Sequence, residues 1–183
     1  TRISEKWSRM SKNSGKKVST NGSKLRTIDY LLEIAALAAL LCLIAMPFFF
    51  LIDLPDELPK HFKLTGEADS YGGPGIIWSL PITGLILYIG MTLLNRFPHL
   101  INYPVKVTAD VADRMYQIGT GTVRVLKLLV ILSFAYINYQ TIRIGLDQAS
   151  GLGRFYLPVF LALIATVIGI MIFKMIKIKP STP

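Results

Sequence analysis

Residues 54–75 read LPDELPKHFKLTGEADSYGGPG, and this stretch sets the reading of everything on either side of it. Five of the chain's eleven acidic residues lie in it or just before it, namely Asp53, Asp56, Glu57, Glu67 and Asp69. It also holds His61, one of only two histidines. Prolines at 55 and 59 and glycines at 66, 72, 73 and 75 break any helical or central-strand pattern, so the segment is expected to be a loop with fixed turns.

On both sides of this polar island the chain becomes continuously apolar. The 183 residues are 52% hydrophobic with a mean hydropathy of +0.49, too apolar for a soluble domain of this size. Charge-free runs occur at Ile34–Ile52, Ile76–Asn95, Leu128–Ile142 (extended by Val125–Leu126) and Phe155–Phe173. Each is long enough to cross a ~30 Å hydrocarbon core, provided that the long stem of Lys127 snorkels to the interface in the third. The expected fold is an all-α integral membrane protein, a four-helix transmembrane bundle over residues 28–173. Its spans are 34–52, 76–95, 125–142 and 155–173, with an ordered outer loop between the first two helices and an amphipathic cytoplasmic segment before the third. A basic cytoplasmic tail, 1–27, precedes the bundle, and a second cytoplasmic tail, 174–183, follows it.

The net charge of +9 raises the alternative of nucleic-acid binding, but its distribution argues for topology. Lysine and arginine number eight before the first run, then two, five, two and three in the successive connections and the tail. That alternation follows the positive-inside rule, placing both termini in the cytoplasm and residues 53–75 outside. The resulting expectation is a multi-pass protein of a bacterial cytoplasmic membrane that binds no nucleic acid. Cys42, the single cysteine, has neither a disulfide partner nor metal-ligand spacing. The first run reads as an uncleaved anchor, since aromatic residues stand where a signal-peptidase site requires small ones.

Within the runs, Ala35, Ala38, Ala39, Cys42 and Ala45 form a small-residue stripe at helical spacing, and Ala162, Ala165, Thr166 and Gly169 offer a match in the last run. Such stripes permit close helix packing in lipid. No ionisable residue stands at the centre of a run, which disfavours proton relays and secondary transport. Between the second and third runs, NRFPHLINYPVK (95–106) carries two prolines beside aromatics and reads as an irregular segment on the inner face. Thr108 then stands as an N-cap with Asp110 and Asp113 in the first turn, and Gly119 and Gly121 as a bend.

Two stretches resemble a known family. Residues 54–62, LPDELPKHF, followed by 66–72, GEADSYG, are similar to the pattern of a bacterial membrane family of unknown function typified by the N-terminal part of the SdpI immunity protein. Residues Asn95, Pro98, His99, Asn102, Tyr103 and Pro104 resemble the cytoplasmic motif of stand-alone members. Lys63 and Gly73-Pro74-Gly75 depart from the family pattern. The resemblance implies that Pro55, Pro59, His61, Phe62, Gly66, Glu67, Asp69 and Tyr71 form a binding or structural motif. It also implies an immunity-type role. The expected function is non-enzymatic: a binding, immunity-type or accessory protein acting through its outer loop on an extracytoplasmic peptide or a membrane protein complex, with membrane lipid around it. The alternatives are an accessory subunit of a larger complex or a metal-dependent membrane enzyme or transporter. No cofactor is indicated. His61, Glu67 and Asp69 are the only candidates for a metal site, and only if a turn at Thr65-Gly66 brings them together. Turn capping by the two acids and a backbone bond from His61 explain the same residues without a metal. No nucleophile elbow, HExxH motif or phosphate-binding loop is present.

Overall fold

The computed structural model describes residues 25–178. The basic N-terminal tail up to residue 24, including Trp7, and the last five residues lie outside that range. Four helices form the body of the protein: α1 (Thr27–Phe50), α2 (Ser79–Arg96), α3 (Ala112–Gly145) and α4 (Tyr156–Ile176). All four are long and apolar enough to cross a membrane. They overlap the four charge-free runs with shifted ends: α3 extends past its run on both sides, α1 begins before its run and stops short of Ile52, and α2 and α4 begin after Ile76 and Phe155. At 1.5 Å per residue, the 34 residues of α3 make a helix about 50 Å long. It is the hub, packing against each of the other three helices.

Local chemistry sets the helix ends. At the start of α1 the Asp29 carboxylate accepts the Arg26 backbone N–H at 2.8 Å, satisfying one of the orphan donors of the first turn. Pro47 falls in the last turn of α1, and α2 is entered through a 3₁₀ turn, Pro74–Trp78, with proline at its first position. Thr108 does not cap α3, contrary to expectation. Its hydroxyl bonds Asp110 Oδ1 at 2.5 Å, its carbonyl accepts the Val111 N–H in a turn, and the helix begins only at Ala112.

The segment between α1 and α2 is not a plain loop. Leu58–Phe62 (β1) and Ala68–Gly72 (β2) pair antiparallel, Leu58 opposite Gly72 and Phe62 opposite Ala68, with irregularities on either side of His61. The fold is therefore helical with a β-hairpin, not all-α. A two-stranded ribbon consists of edges, which is why Pro59 is tolerated in it.

Side-chain polarity is distributed inside out. The buried polar residues are Asp29, Thr120, Arg124, Lys127, Ser133, Asn138 and Thr141, whereas Ile34, Leu41, Ile86, Leu161 and Phe173 face outward. Midway along the bundle Ala39, Leu40 and Leu43 of α1 meet Ile131 and Ala135 of α3. There α1 and α2 approach so closely that a Cβ on Gly84 would lie 2.8 Å from Leu43 Cδ2. The expected small-residue stripe is not the packing face of α1. Ala35, Ala38 and Cys42 are exposed, and the buried line runs through Ala36, Ala39, Leu40, Leu43 and Pro47. The α4 stripe is exposed along its whole length. Packing follows the larger aliphatic residues because they fill the α1–α3 interface.

Candidate functional site

Three assemblies deserve comparison: the hairpin module at one end of the bundle, the 97–111 segment at the other, and a charge cluster between the helices.

The hairpin turns at 63–66, where Gly66 N–H bonds the Lys63 carbonyl and Lys63 N–H bonds the Glu67 carbonyl, both at 2.9 Å. Gly66 sits at φ +85°, in the left-handed region that only glycine enters without cost. Its carbonyl accepts the Leu152 N–H at 2.8 Å, and Glu67 forms a backbone bridge with Gly151. The hairpin tip is thereby joined to the α3–α4 connection. From below, Tyr136 Oη donates to the Leu152 carbonyl at 2.8 Å, and Gln140 Nε2 to the Gly151 carbonyl at 3.1 Å. At the hairpin's base Leu58, Ile77 and Ile142 form a buried cluster. Gly145 leaves room for Leu58 and Pro55, since a Cβ there would lie 2.3 Å from Leu58 Cδ2.

This module brings together part of the expected motif. His61 Nδ1 lies 2.7 Å from Asp69 Oδ1, with the histidine side chain 70% exposed. Pro59 and Gly66 are buried, Pro55 and Phe62 half-buried, and Glu67 and Tyr71 exposed. The three-residue metal set is not assembled: among the described residues no group of three His, Cys, Asp or Glu side chains is placed to hold a metal ion. The bulged register pairs His61 with Ser70, and of the two acids only Asp69 is within reach of its ring.

At the other end, Pro98–Leu100 forms a short 3₁₀ turn and Tyr103 folds back onto α3. Its hydroxyl donates to the Pro98 carbonyl at 2.8 Å, and burial beside Tyr116 pushes its pKa well above the usual phenol range. Gly119 is not a bend. A Cβ there would lie 2.8 Å from Tyr103 Oη, so the glycine forms the seat for the ring. His99 is exposed, edge-on to Phe97 at 6.1 Å, Asn102 and Pro104 are exposed, and Asn95 is half-buried. Gly119→Ala is expected to destabilise by about 1–3 kcal/mol through overpacking, and Tyr103→Phe by about 1 kcal/mol through its lost hydrogen bond. Thermal unfolding in detergent would rank the two, and the reverse order would show that Tyr103 is held by its hydroxyl rather than by the fit of its ring.

The third assembly is absent from the sequence reading. Lys127 does not snorkel. Its side chain is fully buried, with Nζ 2.6 Å from Glu33 Oε2 and 2.9 Å from Thr92 Oγ1, and it lies over the Tyr88 ring. Arg124 Nε lies 3.3 Å from Glu33 Oε1, and its Nη1 lies 3.4 Å from Asp29 Oδ1. The pattern behind this is simple. Asp29 and Glu33 are four apart on α1, and Arg124 and Lys127 are three apart on α3, so each pair lies on one helical face. Two acids and two bases thus offset one another where the two helices face each other, at the edge of the charge-free runs and not at their centres.

Residues 34–85 match the family described as "Domain of unknown function (DUF1648)". The match runs from the apolar part of α1 through the hairpin into the first turns of α2; it includes neither the charge cluster nor residues 95–105. A protein of Archaeoglobus fulgidus described as "Uncharacterized protein" is 29% identical over 118 residues, covering 57% of this chain and 63% of the relative. The chain thus spans less than two thirds of that relative's length. No solved structure matches the chain.

Proposed function

We propose that the protein is a small multi-pass membrane protein with a non-enzymatic recognition role, acting through the hairpin module on the extracytoplasmic side of the membrane. The observation that carries this reading is the docking of the hairpin. Main-chain bonds join its tip to the α3–α4 connection, while its base is packed on Leu58, Ile77 and Ile142. A mobile linker would pay a large ordering entropy on binding; a ribbon tethered at both ends does not. It presents the His61–Asp69 pair, Tyr71 and the 81% exposed Leu64 on a fixed base. An extracytoplasmic peptide or a segment of another membrane protein is the occupant such a mixed polar and apolar surface suits. The immunity-type role implied by the resemblance is one form of this recognition.

Membrane insertion is supported by the inside-out polarity of the bundle, and the orientation by the charge alternation. In a Cys42→Ala background, Thr65→Cys is expected to react with an impermeant thiol reagent from outside the cell, and Ala109→Cys only after the membrane is opened. The reverse pattern inverts the topology and removes the recognition surface from the outer face. For the role itself, a native detergent pull-down is expected to recover a stoichiometric partner, with capture weakened about tenfold by His61→Ala and little by Lys63→Ala. Equal effects of the two substitutions would reduce the motif to a connection.

A second reading, an accessory subunit, is favoured by α4. It packs only on α3 among the helices and leaves Ala162, Ala165, Thr166 and Gly169 facing outward, a surface on which a partner's helix could close.

A further inference from the structure

The α1 and α4 helices both pack on α3 but make no extended contact with each other, and a groove of about 350 Å³ lies between them at the end of the bundle that carries Arg26 and Lys174. We propose that this groove holds one anionic phospholipid, its phosphate at the mouth and one acyl chain between α1 and α4.

The groove has the polarity of an amphiphile. At its mouth stand the side chains of Arg26, Gln117 and Lys174, all exposed. Further in, Leu32, Val125 and Val167 make apolar walls from three different helices. The polar and apolar groups are separated along each helix by about two turns, so a ligand with a charged head and a straight tail meets both at once. The volume falls within the range of ligand pockets.

Charge selects among amphiphiles. Asp29 also lines the groove, but its oxygens are engaged by Arg26 and Arg124. The Arg26 guanidinium lies against α3 at Gly121, where a Cβ would sit 3.7 Å from Nη2, and it faces the open groove. The Lys174 ammonium has no anionic partner among the described residues. A phosphodiester therefore meets the Lys174 ammonium, the exposed Arg26 guanidinium (of which only Nε is turned to Asp29) and an amide donor, whereas the amine of a zwitterionic lipid meets no uncommitted carboxylate. Two cations at the headgroup level are the ordinary basis for attraction to anionic lipid, and an apolar slot beneath them turns that attraction into a seat for one molecule.

This proposal rests on the membrane reading, which fails separately if the protein partitions into the soluble fraction of lysed cells. The test is native mass spectrometry of the purified full chain in mild detergent, titrated with phosphatidylglycerol and, separately, phosphatidylcholine. One tightly held phosphatidylglycerol is expected, retained against excess inorganic phosphate, with phosphatidylcholine bound at least about tenfold more weakly. The double variant Arg26→Gln/Lys174→Gln is expected to lose that preference, while Lys60→Gln/Lys63→Gln at the opposite end keeps it. Val167→Trp, which fills the slot and leaves both cations in place, is expected to lose the bound lipid. Equal binding of the two lipids, displacement by phosphate alone, or equal loss in the two double variants would overturn the proposal. So would retention of the lipid by Val167→Trp.

Discussion

Glu33→Ala is expected to destabilise the folded bundle by about 3–5 kcal/mol, more than any other single change to a charged side chain outside the hairpin. The reason is the position of Lys127. Its side chain is 0% exposed, and Glu33 is its only carboxylate partner among the described residues, so truncating the acid leaves an ammonium group in the packed interior with a threonine hydroxyl and a tyrosine ring for company. The reciprocal change costs less. Lys127→Met leaves Glu33 beside Arg124, and the Glu33 side chain is 30% exposed, so about 1–2 kcal/mol is expected. The double variant Glu33→Gln/Lys127→Met is expected to recover most of the loss, because neither charge then remains buried. Reversible unfolding in mixed micelles would measure all three. A double variant as unstable as Glu33→Ala would show that the damage comes from lost packing rather than from an unpaired charge.

The second large effect is expected at the hairpin tip. Gly66→Ala forces a side chain into the left-handed region, at about 1–2 kcal/mol, and pushes its Cβ to 2.8 Å from the Gly153 carbonyl oxygen. Gly151→Ala keeps an ordinary conformation but places its Cβ 2.5 Å from the Gly66 carbonyl oxygen. Both obstacles are backbone atoms, which cannot rotate aside, so the tip must separate from the α3–α4 connection. The Leu152 amide, which donates to Gly66, is expected to exchange its hydrogen at least about tenfold faster in either variant, and a protease should cut at Lys63. The Gly73→Ala control meets open space and should change neither. Unaltered exchange at Leu152 in both variants would mean that the bridge to Gly151 does not hold the hairpin.

The helices were legible because an uninterrupted apolar run admits few structures. Their true ends were not. Charge stops at Ile34, so a span bounded by hydropathy leaves Asp29 and Glu33 outside it; yet α1 begins at Thr27 and takes both acids into the bundle. Their partners lie 94 and 95 residues away along the chain, and spacing within one helix does not reveal which residue of another helix will face it. The hairpin was hidden for a different reason. Proline and glycine at its ends are turn residues by local preference, and only pairing across the ribbon makes Leu58–Phe62 and Ala68–Gly72 strands. Gly66 was readable as a turn glycine. Its contact with Gly151 and Gly153 was not, because the α3–α4 connection carries no motif that points back to residue 66.

The dependence of every helix on α3 has a consequence for how the protein is made. Synthesis delivers α1, the hairpin and α2 before α3 exists. Until then Asp29 and Glu33 face no cation from another helix, and the hairpin lacks Ile142 beneath its base and the Leu152 amide at its tip. A chain that ends after α2 therefore lacks both cations that meet Glu33 in the finished fold, and Asp29 keeps only Arg26. Arrival of Arg124 and Lys127 with the third helix ends that state in a single step, and α4 then needs only to settle on a scaffold already assembled.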